Sequence, residues 1–193
     1  MKYFYKIIAL SLALSALTAT QSVMAAEGDP HWYVGVNYAT FNATNVANSR
    51  VDLETSGAQI RLGYDFNNWF GLESSIARSQ TSNTKNNLTY KVGYLGYFGP
   101  RVTLRLENFV LYGTAGSIIS SDKACDDSTG SSVCTTKEGV NGAAGFGIDM
   151  FGSDNTALNL SVMYYGAEQA DNNYSLSLGI TWYFDSPKYA PRY

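Results

Sequence analysis

Histidine and cysteine are nearly missing from this chain. There is one histidine, His31, and there are two cysteines, Cys125 and Cys134, in 193 residues. Zinc sites and most histidine-dependent acid–base chemistry need several such residues, so no metal, cofactor or catalytic residue is expected. Charge is also scarce, at 15 % of residues, where a soluble domain carries about a quarter. The charge is not basic either. Lys and Arg number 13 against 16 Asp and Glu, a balance that argues against nucleic acid as a partner. Beyond the N-terminal segment, no apolar run approaches the roughly 18 residues that a membrane helix needs. What the chain has instead is aromatic side chains and glycine, with 15 Tyr, 9 Phe, 3 Trp and 18 Gly.

The first 25 residues read as a cleaved export signal. Lys2 and Lys6 flank a short apolar run from Ile7 to about Leu17, and Val23-Met24-Ala25 offers a small-residue cut site. Cleavage after Ala25 or after Ala26 fits equally. Removal of this leader takes two lysines and no acid, so 11 Lys and Arg remain against 16 acids, a net charge of −5. Export implies an oxidising compartment, in which Cys125 and Cys134 are expected to pair across a small loop.

Residues 26–184 alternate with period two nearly throughout. Eight strands are expected, over His31–Asn42, Gly57–Phe66, Trp69–Ser79, Thr89–Leu104, Phe109–Ser120, Val140–Phe151, Thr156–Tyr165 and Tyr174–Phe184. Ala58, Ile60, Leu62, Tyr64 and Phe66 share one face of the second, for example, while Gln59, Arg61, Gly63 and Asp65 share the other. The connections Asn67-Asn68, 105–108 and 152–155 are short. Those over 43–56, 80–88, 121–139 and 166–173 are longer and polar. Alternating short turns and long loops with an even strand count predict an all-β fold, an eight-stranded antiparallel up-and-down transmembrane β-barrel. Closure pairs every backbone group inside lipid. The apolar face should meet lipid, with Trp32, Trp69, Tyr90, Tyr174 and Trp182 as interfacial anchors. A soluble exported ligand-binding barrel would instead leave a large apolar surface in water.

The polar face then lines the bore and holds Arg61, Glu73, Lys91, Arg101, Asp65 and Asp149. Buried charges need partners. A register summing to 134 sets Arg61 opposite Glu73, and an ion pair is expected there. These charges are read as a plug that fills the bore rather than as an ion path, because eight strands enclose room only for packed side chains.

The opening Trp32-Tyr33-Val34-Gly35-Val36, the central Gly99-Pro100-Arg101-Val102-Thr103-Leu104 and the closing Leu178-Gly179-Ile180-Thr181-Trp182-Tyr183-Phe184 resemble the small outer-membrane β-barrel family. This is the OmpA/OmpX-like group of Gram-negative bacteria, with its opacity-like and porin-family members. The resemblance covers the whole mature chain. It implies a location in the cell outer membrane, insertion by the outer-membrane assembly machinery, and contact with outer-membrane lipid and lipopolysaccharide. It also implies variable surface loops that can meet host or envelope proteins, and a monomer. Members usually end on the aromatic of the last strand, whereas residues 185–193 follow here as a short tail, kept out of the sheet by Pro187 and Pro191.

The function implied is that of a non-enzymatic barrel with an envelope-structural or adhesin-like role through its loops. The alternatives are a lipid A-modifying enzyme and a narrow solute or ion pore. An enzyme of the deacylating kind needs a Ser–His pair, and no such signature surrounds His31, which reads as an interfacial polar residue before the first strand.

Overall fold

A computed structural model describes residues 30–44, 46, 52–106, 108–126, 133–166 and 172–184. The export signal at 1–25 and the tail at 185–193 lie outside the described residues. Nine strands are present: β1 (His31–Thr44), β2 (Leu53–Asp65), β3 (Phe70–Ser79), β4 (Asn83–Lys85), β5 (Leu88–Leu106), β6 (Phe109–Asp126), β7 (Val133–Ser153), β8 (Thr156–Tyr165) and β9 (Asn172–Phe184). All pairings are antiparallel. β3 pairs with β5 and β1 with β9, so eight strands close into a barrel and β4 stands outside the ring. Among the described residues no helix is long and apolar enough to cross a membrane.

Burial alternates as the period-two pattern requires. In β1 every odd residue from His31 to Ala43 is buried and faces inward. The outward face is apolar and open: Ile76 is 70 % exposed, Phe98 61 % and Leu104 59 %. Such a band around the whole barrel is stable only against lipid. Both chain ends of the barrel, His31 and Phe184, share a rim with the short turns after β2, β5 and β7, which marks that rim as periplasmic.

Three details depart from the sequence-based expectation. The turn between β2 and β3 is longer than Asn67-Asn68. Phe66 N donates to Phe70 O at 2.9 Å, and the Asn67 Oδ1 accepts from the backbone N–H groups of Trp69 (3.0 Å) and Phe70 (2.8 Å). This Asx turn takes in Trp69 and sets the register to a sum of 136, with Arg61 opposite Ser75 and Gly63 opposite Glu73.

The second departure is a β-bulge. Pairing between β5 and β6 shifts between Val92 and Tyr94. One extra residue reverses which side chains face inward. Below the bulge Tyr97 and Arg101 point in; above it Tyr90 and Val92 do, both fully buried. Lys91 therefore faces outward and does not belong to the interior, and Tyr90 is an interior residue rather than an interfacial anchor.

Thirdly, two expected loops are largely sheet. Residues 121–126 pair with 133–138 and lengthen the β6–β7 hairpin well past the barrel. β4 folds back on β5 through Asn86 (φ 52°) and Asn87 (φ 62°). Two successive left-handed residues make the tight hairpin turn that matches strand twist, and asparagine tolerates that region well.

Candidate functional site

Each of the eight barrel strands gives one residue to a single polar network in the bore. These are Tyr33 (β1), Arg61 (β2), Glu73 (β3), Arg101 (β5), Tyr112 (β6), Asp149 (β7), Asn159 (β8) and Tyr183 (β9). The Arg61 Nη2 donates to Glu73 Oε2 at 2.6 Å and the Arg101 Nη2 to Asp149 Oδ2 at 2.8 Å. Cross contacts link the pairs, Arg101 to Glu73 at 3.9 Å and Arg61 to Asp149 at 4.0 Å. Hydroxyls occupy further carboxylate lone pairs: Tyr33 donates to Glu73 at 2.7 Å and Tyr183 to Asp149 at 2.6 Å. The Asn159 amide donates to Asp149 Oδ1 at 2.7 Å. The two guanidinium groups lie between tyrosine rings, with Arg101 4.4 Å from the centroid of Tyr33 and 4.1 Å from that of Tyr112. Such stacking offsets part of the desolvation of a buried arginine.

Inward glycines make room for the rings. A Cβ at Gly63 would fall into the space of the Tyr33 ring, and one at Gly147 into that of the Tyr112 phenol.

Below this network sits a second one at the periplasmic rim. Asp65, fully buried, lies 3.0 Å from Arg105 Nη2 and 3.3 Å from His31 Nε2. Arg105 also donates through Nε to the Asn68 carbonyl at 3.2 Å. His31 is thus an interior residue, 1 % exposed, rather than an interfacial one. Three arginines, Arg61, Arg101 and Arg105, balance the three carboxylates Glu73, Asp149 and Asp65. Of the sequence-predicted charges, Arg61, Glu73, Arg101, Asp65 and Asp149 come together in these two networks and Lys91 does not. Arg105, Tyr33, Tyr112, Asn159 and Tyr183 complete the networks beyond the expected charges; of these, Tyr33 falls on the polar face of its strand, where a ring is out of place unless it binds something.

Above the charges the bore changes character. Asn37 bridges Gln59 (3.1 Å) and Asn159 (3.3 Å), and Ser161 meets Ser177 at 2.6 Å. A cavity beside Gln59, Glu73 and Ser177 measures about 10 Å³, room for about one water. Higher still, Phe41, Leu53, Leu88, Tyr90, Val92, Ala124 and Tyr165 form an apolar cap. Within it lies Asp122, 1 % exposed, with the Tyr90 hydroxyl as its polar neighbour. Burial pushes its carboxyl up to about 6. Among the described residues no group of His, Cys, Asp or Glu is arranged to hold a metal ion.

Outside the barrel, Cys125 and Cys134 are direct register partners near the end of the β6–β7 hairpin and are joined by a disulfide.

A closed eight-stranded sheet with an apolar exterior and a charge-balanced interior defines a transmembrane β-barrel. The chain belongs to the outer membrane protein β-barrel domain family, whose model matches residues 9–184. It is 30 % identical over 129 residues to a 22 kDa outer membrane protein of Rhizobium leguminosarum bv. viciae, over 64 % of this chain and 57 % of that protein. The chain thus spans little more than half of that relative. Among solved structures it resembles Ail, the attachment invasion locus protein of Yersinia pestis (TM-score 0.58, 21 % identity, 82 % of this chain and 100 % of that one). It also resembles the outer membrane protein OprG of Pseudomonas aeruginosa (TM-score 0.56, 12 % identity, 82 % and 98 %). Its place is the cell outer membrane.

Proposed function

We propose that the protein is a non-enzymatic barrel that acts through its extracellular hairpins, as an envelope-structural or adhesin-like surface protein. The observation that carries this reading is the contrast between a filled bore and a β6–β7 hairpin that extends past the barrel with its two strands cross-linked by Cys125 and Cys134. Eight strands enclose room only for packed side chains, and the cavity beside Gln59, Glu73 and Ser177 holds about one water, which leaves little space at that level for a solute to pass. His31 is held by Asp65 and Arg105 at the periplasmic rim, away from a substrate in the outer leaflet, so the lipid A-modifying alternative draws no support from it. The fold it shares with Ail, a structure of which contains the heparin analogue sucrose octasulfate, makes sulfated polysaccharide a natural first ligand to try.

The test is a binding screen against host matrix proteins, sulfated polysaccharide and envelope components. Wild-type protein is compared with a variant in which 121–139 is replaced by a short Gly-Ser turn. The expected result is binding by the wild type that the variant loses while still folding and inserting. Equal binding by both would overturn the assignment to this hairpin.

A further inference from the structure

The β-bulge that turns Lys91 outward also sets it directly opposite Lys123 of β6, which is exposed on the same outer face. Side chains directly opposed across antiparallel strands lie about 5 Å apart, and like charges there repel. The pairing is forced by the inward burial of Tyr90, Val92, Asp122 and Ala124 on either side. Among the described residues no ion pair involves Lys91 or Lys123. The register neighbour of Lys123 on β7 is Thr136, uncharged; the acid on that outward face, Glu138, lies diagonally one row nearer the membrane, opposite Ser121. A third cation, Arg78, is exposed at the end of β3, next to β5 in the ring. The outward tyrosine Tyr94, 40 % exposed, comes three residues after Lys91 on β5, and Tyr164 and Tyr174 pair outward on β8 and β9. Tyrosines so placed sit at the boundary between lipid and water. The two lysines therefore stand just above the boundary, at the depth of lipid head groups.

We propose that Lys91 and Lys123, flanked by Arg78, form a docking site for a phosphorylated lipid head group in the outer leaflet. One phosphate between two opposed ammonium groups turns their repulsion into attraction, and the lipid chains continue down the apolar face below Tyr94. A basic group near an anionic surface contributes about fivefold in affinity, so loss of both lysines should weaken binding about 25-fold.

The experiment uses the mature protein folded into phosphatidylcholine vesicles, with and without a few per cent of diphosphorylated lipid A. The readout is the temperature at which heat-dependent gel mobility changes. The lipid should raise that temperature for wild type and for Lys91→Arg/Lys123→Arg. The shift should shrink to a small fraction in Lys91→Ser/Lys123→Ser, whose transition in phosphatidylcholine alone stays at or above that of wild type. Dephosphorylated lipid should give no shift. An equal shift in wild type and the double serine variant would overturn the proposal. So would an equal shift from dephosphorylated lipid, from inorganic phosphate, or from sulfated polysaccharide in lipid-free solution.

Discussion

Arg61 and Glu73 are two residues out of register, yet their side chains close to 2.6 Å inside the barrel. The diagonal reach is what allows Glu73 also to accept from Tyr33 and to approach Arg101. One carboxylate thus serves three strands besides its own.

Removal of that carboxylate alone should be costly. Glu73→Gln leaves two buried guanidinium groups with Asp149 as their one carboxylate, and loss of one partner of a buried pair typically costs about 3–5 kcal/mol. Arg61→Met made together with Glu73→Gln restores the charge balance and should recover a good part of the loss. Urea unfolding of the vesicle-inserted protein measures both.

The tyrosine that orients Glu73 depends on a glycine. Gly63→Ala pushes a methyl group into the Tyr33 ring and should destabilise the barrel by about 1–3 kcal/mol, the usual cost of overpacking. Gly96→Ala is the control, since nothing lies within 4 Å of its Cβ, and should be close to neutral. If the two variants unfold alike, the tight ring packing is not what makes Gly63 necessary.

Asp122 predicts a pH dependence of the extracellular cap. It lies among Tyr90, Tyr165 and, across the ladder, Lys137, above the tyrosine boundary. Its carboxyl is raised by burial from 3.8 to about 6. A raised folded-state value means the folded form holds the proton more tightly. The cap is therefore most stable below about pH 4, loses stability as pH rises through 6, and is constant above. The span corresponds to about 3 kcal/mol. Asp122→Asn should remove this slope and protect the β6–β7 hairpin at pH 7. Hydrogen exchange or proteolysis of the hairpin at pH 4.5 and 7.5 would show it; an unchanged slope in the variant would assign the dependence to another group.

The count of barrel strands, the sidedness of most of them and the inward placement of Arg61, Glu73, Arg101, Asp65 and Asp149 are legible in period two, because a closed barrel buries every second residue over most of each strand. Position along the strand is less legible. The β2–β3 register sums to 136 rather than 134 because an Asx turn at Asn67 takes in Trp69, which the alternation assigns to a strand. The alternation gives Lys91 and Tyr90 the opposite faces because the bulge at Gly93 leaves no mark in 92–98, where both faces of β5 are apolar. Polarity hides the length of the β6–β7 hairpin: the inward face of 121–126 carries Asp122 beside Ala124, and 133–138 is exposed on both faces, so neither stretch has an apolar alternation to read. Arg105 falls in an expected turn and His31 reads as interfacial because both lie at strand ends, where turn and strand residues look alike.

The central claim is that the bore is locked and that the work is done outside it. Planar-bilayer conductance tests this most directly. The wild-type protein should insert without steady conductance, since two charge networks and an apolar cap fill the bore. A variant with Arg61, Glu73, Arg101 and Asp149 all changed to Ser should show more frequent openings. Sustained ion flow through the wild-type protein, no greater in the variant, would contradict the account.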